Sequence, residues 1–189
     1  MIDDFNTALN LFITSTQLNG YYLEMLILIL YSSFILTRVC PSLLTLGIWP
    51  RHFYGLPGIF LAPFLHLNFN HLFFNTIPLI VLSDFILING LDYFLTASLS
   101  ITVISGFLIW CFAKSGIHLG ASAVITGYWG LLVCNIYQQG TLMAIFLGVI
   151  CFYYFAGIFL GVFPSKKGVS WEGHLFGLLA GIATSTFIT

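Results

Sequence analysis

Apolar residues run along this chain in long blocks separated by short polar breaks, and the block length is the first informative quantity. Six blocks, about 20–37, 71–88, 92–111, 120–137, 141–163 and 171–189, approach the roughly 20 residues that carry an α-helix across a bilayer. The breaks at Asn89-Gly90-Leu91, at Lys114-Ser115-Gly116, at Gln138-Gln139-Gly140 and at 165–169 are brief, which predicts neighbouring antiparallel helices. One connection differs. Residues 38–70 are interrupted by Pro41, Pro50, Pro57 and Pro63, and their apolar stretch Ile59–Leu65 is too short to span. Such a segment is expected at the interface or dipping in from one side, where neighbouring protein satisfies its backbone. The pattern predicts an all-α membrane protein: one domain over residues 1–189, a six-helix bundle with a long, partly embedded first loop.

Composition agrees with that reading. The 189 residues are 59% hydrophobic and 6% charged, whereas a soluble domain is about a quarter charged. A net charge of −1 leaves no basic patch for nucleic acid, so the expected partner surface is the lipid bilayer. Asp3 and Asp4 stand where a signal peptide would be basic, so the start of the chain is not read as one. Cys111, Cys134 and Cys151 fall inside apolar blocks, Cys40 lies outside them, and none has metal-ligand spacing.

Polar side chains inside apolar blocks are costly, which makes them the candidates for function. They gather at three places: His66, Asn68, Asn70, His71 and Asn75 around the start of the second block, Ser122 and Thr126 in the fourth, and His174 in the sixth. In an up-and-down bundle these three places face one side and can line one shallow cavity. His71 and Asn75, four apart, share a helix face. His174 shares its face with Gly177 and Gly181, while Ser122, Thr126 and Gly130 share another. Small residues let helix backbones approach closely, here closely enough for a hydroxyl to meet an imidazole. Gly157 and Gly161 form a further small pair in the fifth block.

A serine beside a histidine is an activated nucleophile, because the base takes the hydroxyl proton as oxygen attacks a carbonyl. The resulting oxyanion needs donors. The Ser122 backbone N–H at a helix N-terminus is one, and the His71 and Asn75 side chains are two more. Glu172 is two residues from His174 and points elsewhere on a helix, and Asp84 and Asp92 belong to the far end of the bundle, so a dyad is expected rather than a triad. No histidine is followed by glutamate, which argues against a HExxH metalloprotease. Neither inverted repeats nor charged relays are present to suggest a transporter. No cofactor and no metal are expected.

These residues also match a known pattern. His66, His71 and Asn75 lie as in the HxxxxHxxxN motif of rhomboid proteases. Gly120-Ala121-Ser122-Ala123 resembles their GxSG nucleophile motif, and His174-Leu175-Phe176-Gly177 with Gly181 resembles their HxxGxxxG. Trp49-Pro50-Arg51 is similar to the Trp-Arg of their first loop. The resemblance implies a serine endopeptidase of the cell membrane that cuts transmembrane helices of protein substrates near the membrane surface. It implies Ser122 as nucleophile and His174 as base, with His71 and Asn75 at the oxyanion and His66 and Gly120 in support. It also implies a gate formed by the aromatic-rich fifth helix (Phe146, Phe152, Tyr153, Tyr154, Phe155, Phe159) and the loop after it.

Two positions depart from the family pattern. Ala123 stands where glycine is usual, and Thr126 stands where a tyrosine often stacks on the base. They keep open the alternative of a weak or inactive relative that binds membrane helices without cutting them. All five basic residues (Arg38, Arg51, Lys114, Lys166, Lys167) lie in or beside the odd-numbered loops. The positive-inside rule would turn those loops to the cytoplasm, whereas the resemblance implies the opposite face.

Overall fold

The computed structural model describes residues 2–139, 145–146, 148–150, 152–153, 157 and 170–188. Among them the chain is helical: α1 (Ile2–Val39), α2 (Gly58–Leu61), α3 (Phe69–Leu87), α4 (Leu91–Phe112), α5 (Ser122–Gln139) and α6 (Trp171–Ser185), with three 3₁₀ turns between α1 and α3. Phe12–Val39, Phe69–Leu87 and Leu91–Phe112 are each long and apolar enough to cross a membrane. The helix at Ser122–Ile136 is apolar but shorter. The expected fifth span, 141–163, and the loop at 165–169 lie outside the described residues for the most part, as does the expected gate. Within that stretch Phe152 and Tyr153 are exposed, and nothing lies within 4 Å of where a Cβ would stand on Gly157.

Helix α1 starts far earlier than the apolar block that announced it at residue 20. Residues 2–19 contain neither proline nor glycine, and Thr16 and Asn19 give the helix an anchor. Thr16 Oγ1 donates to Asp84 Oδ2 at 2.8 Å and Asn19 Nδ2 to Asp84 Oδ1 at 3.0 Å, clasping α1 to the end of α3. Helix α3 begins with the Asn68 side chain accepting from the His71 N–H at 2.9 Å, a side-chain N-cap. Gly90 turns the chain into α4 at φ 99°, a conformation that suits glycine.

The long first loop is a chain of turns started by its prolines. Pro41–Leu46 and Ala62–Phe64 are 3₁₀ helices with proline in the first positions, and Pro57 precedes α2. The loop buries Ile48, Ile59, Ala62 and Leu65, and it leaves Phe53, Tyr54 and Phe60 exposed. A Cβ on Gly106 of α4 would stand 2.7 Å from Cγ2 of Ile59, so the loop lies directly against the α4 backbone.

Arg51 holds the loop from the other side. At φ 63° its Nη1 donates to Ala113 O at 2.7 Å and its Nη2 lies 3.2 Å from Ser115 Oγ, capping the C-terminal end of α4. The link between α4 and α5 is longer than its short polar break suggested. It runs over 113–121 because His118 pairs in both directions with Ile48, N to O at 2.9 and 3.1 Å.

Among the described residues the most extensive helix pairing is α5 with α6. A Cβ on Gly177 would overlap the Ala123 carbonyl oxygen, and one on Gly181 would overlap that of Gly127. Gly130 faces Leu178 O, with 3.1 Å left for a Cβ. The contacting face of α5 is therefore Ala123–Gly127–Gly130, not the Ser122–Thr126–Gly130 face expected from the sequence. Thr126 is fully buried and turns its hydroxyl back onto the Ser122 carbonyl at 2.7 Å.

Candidate active site

A cavity of about 690 Å³ opens between the first loop, the start of α3, the 113–121 link and the start of α6. Ser122, His174, His71, Asn75 and Gly120 all line it. The three polar clusters anticipated from sequence thus meet through Asn68, His71, Asn75, Ser122 and His174, whereas Asn70, which is exposed, and His66 and Thr126, which are buried, are not among the lining residues.

Ser122 is the first residue of α5. Ala121 O accepts from Ile125 N at 2.9 Å, closing the first turn and leaving the amides just ahead of it without intrahelical acceptors. Those amides and the positive end of the helix dipole point toward the serine's own end of the cavity, a setting that favours developing negative charge.

Gly120 places the serine. Its φ of 101° is one that residues with side chains rarely adopt. A Cβ there would stand 2.6 Å from both Cε1 and Nε2 of His71 and 3.2 Å from Nδ2 of Asn75. The imidazole and the amide therefore rest against bare backbone two residues before Ser122. The Gly120 N–H donates to Ala62 O at 2.9 Å, which pins this arm to the first loop.

His66 does not line the cavity. It is fully buried behind Asn75, with Nε2 3.2 Å from Asn75 Nδ2 and its ring edge-on to His71 at 5.0 Å between centroids. Burial pushes its pKa down to about 4, the charge of His71 adds to the effect, and a contact with the Phe64 backbone opposes it. His66 is accordingly neutral at physiological pH. As a neutral ring it can accept one amide hydrogen of Asn75 and leave the other for the cavity.

Sequence reasoning did not single out Asn68 as the α3 cap, or His118 and Ser170, which also line the cavity. Ser170 N-caps α6, its oxygen accepting from Gly173 N at 3.3 Å. The capping preference of serine three residues ahead of that N–H was a usable signal. Nothing local in the sequence marks His118. Glu172 is buried, lines the same cavity and lies 3.8 Å from Lys114 Nζ.

Comparison with known proteins adds a second line of observation. The family model for the Rhomboid domain matches residues 52–189. An uncharacterized protein of Mycobacterium tuberculosis and one of Mycobacterium bovis are each 35% identical over 153 residues, covering 76% of this chain and 63% of theirs. An uncharacterized protein of Mycobacterium leprae is 33% identical over 142 residues, 70% of this chain and 56% of its own length. The chain thus spans under two thirds of the length of the curated relatives it matches.

Proposed function

The chain belongs to the rhomboid family, and from that membership and the shape of the cavity we propose that it is an intramembrane serine endopeptidase. The observation that carries the reading is that Ser122, His174, His71 and Asn75 line one cavity. In this mechanism Ser122 Oγ attacks the scissile carbonyl carbon while His174 takes the hydroxyl proton. The oxyanion is met by the Ser122 backbone N–H and the side chains of His71 and Asn75. His174 then returns the proton to the leaving amine, and water hydrolyses the acyl-enzyme by the same steps. His66 fixes the Asn75 amide, and Gly120 gives the donors room.

The substrate class is the one the family implies, and the chemistry says what it must do. A helical peptide's carbonyls are engaged in its own hydrogen bonds, so the target is a transmembrane segment that unwinds near the membrane surface. The full architecture in this reading has six spans, with the first loop partly embedded, in the cell membrane. The non-cleaving alternative rests on Ala123 and Thr126. Neither removes a reacting group: Thr126 braces the Ser122 carbonyl, and the Ala123 backbone meets Gly177.

The test is labelling with a fluorophosphonate probe, alongside cleavage of a transmembrane substrate in liposomes, for the wild type, Ser122→Ala and His174→Ala. Wild type alone should label and cleave. Equal product from wild type and Ser122→Ala would end the proposal.

A further inference from the structure

The nucleophile and the base ride on two helices whose contact is repetitive. Gly177 sits on Ala123 and Gly181 on Gly127, a pattern that recurs every four residues. A surface of that kind brings helix axes close, but it does not by itself fix how far one helix has slid along the other. A slip of four residues is about 6 Å and would set Gly177 on Gly127, again small against small. A directional contact is needed to choose the register.

The structure places one at the open end of the pair. Ser170 Oγ lies 3.0 Å from His118 Nδ1, and His118 Nε2 lies 3.1 Å from Lys114 O. A carbonyl oxygen only accepts, so Nε2 carries the hydrogen. In the neutral ring Nδ1 is then an acceptor and takes the Ser170 hydroxyl hydrogen, while Ser170 Oγ accepts from Gly173 N–H. Every polar atom of the clasp has its partner. The backbone of His118 is itself held on both sides by Ile48. Lys114 reaches the same helix start, 3.8 Å from Glu172 and 5.8 Å from the Trp171 ring centre.

The spacing relates this clasp to the chemistry. His118 precedes Ser122 by four residues, and Ser170 precedes His174 by four. We propose that the His118–Ser170 hydrogen bond is a register lock, and that His118 is a positioning residue which sets the depth of His174 relative to Ser122. The inference rests on the Ser122–His174 reading, because it explains how those two groups are aligned.

The experiment uses the full chain in liposomes. It measures the rate constant and the final stoichiometry of fluorophosphonate labelling, with kcat and KM on a transmembrane substrate, for the wild type, His118→Ala, His118→Asn and Ser170→Thr. A shift on the order of 1 Å at a catalytic pair can cost 10²-fold. His118→Ala is therefore expected to label roughly 10- to 100-fold more slowly, still to full stoichiometry, with kcat lowered and KM held. In His118→Asn the side-chain oxygen falls near the place of Nδ1 and still accepts from Ser170, so most of the rate should return. Ser170→Thr keeps the hydroxyl and should stay near wild type.

Wild-type rate in His118→Ala would overturn the lock. So would a loss explained by a smaller labelled fraction, or His118→Asn as slow as His118→Ala. A wild type that takes no label would overturn the Ser122–His174 assignment itself, and the lock with it. The two failures are told apart by the wild-type lane.

Discussion

Gly120→Ala is the sharpest single perturbation of this site, because two separate costs fall on one atom. The first is local. A residue with a side chain at φ 101° carries backbone strain of about 1–3 kcal/mol. The second is spatial. The new Cβ would stand 2.6 Å from the His71 ring, whereas carbon contacts settle near 3.5–4.0 Å, so the imidazole must retreat by roughly 1 Å. Asn75 Nδ2, at 3.2 Å, must also give a little.

Loss of one oxyanion donor costs about 10²–10³ in kcat, and in the proposed mechanism a displacement of this size is comparable to losing His71 as a donor. The expected result is a fall in kcat of about 10²-fold or more, with the strain appearing separately as a lower thermal midpoint. Gly116→Ala is the matched control. Gly116 also has positive φ, 137°, but nothing stands within 4 Å of its Cβ position. It should lose stability without losing turnover. Cleavage assays and thermal unfolding of both variants in the same detergent decide the matter. If the two lower kcat equally, the crowding of His71 is not what Gly120 prevents.

Other consequences can be read with similar measurements. Gly177→Ala puts a methyl group into the Ala123 carbonyl, so it should lower stability by about 1–3 kcal/mol and depress activity together with the thermal midpoint, while Gly157→Ala, with open space around it, should do neither. His66 has a folded pKa of about 4 against 6.5 for the free ring, so the unfolded chain binds the extra proton first and stability falls as pH drops from about 6.5 to 4, by roughly 3 kcal/mol in all. In His66→Gln unfolding midpoints should flatten across that window, and an unchanged slope would refute the assignment. Cys40 is free and exposed at the loop end of α1, so with the cavity facing outward a membrane-impermeant maleimide should label it in intact cells lacking the other cysteines. Labelling only after lysis would reverse the orientation.

Much of this arrangement was legible because lipid restricts where polar atoms stand. His71, Asn75, Ser122 and His174 stood out against apolar blocks, and the structure brings them to one cavity. Gly177 and Gly181 were readable as a close-packing stripe for the same reason: only a small residue permits that approach. The partner face was misread. Ser122, Thr126 and Gly130 share a side of α5, but periodicity cannot say which of two adjacent faces meets the neighbour. Gly127, the residue opposite Gly181, lies one position away from the expected stripe. The start of α1 was missed because its anchor is tertiary: Asp84 is 65 residues from Asn19. His118 was invisible for a like reason, its partners Ile48 and Ser170 lying far off in sequence.

The basic residues show how counting and structure part ways. A topology rule counts charges as free to choose a side. Yet Arg38 donates from Nη2 to Leu67 O at 2.6 Å and lies 4.8 Å from the centre of the Phe34 ring. Arg51 caps α4, and Lys114 lies against Glu172 and Trp171. Three of the five positive charges thus have local work in holding the first loop, the 113–121 link and the start of α6 around the cavity. Those segments flank His71 and Asn75 of α3 and carry the arm leading to Ser122 and the helix start that holds His174, the groups the proposed mechanism uses. Their carbonyls sit at helix ends and loop turns where a long cationic side chain can satisfy them at the membrane edge. An excess of positive charge on the cavity side is therefore what a site built from loops and helix ends requires, whichever side of the membrane it faces.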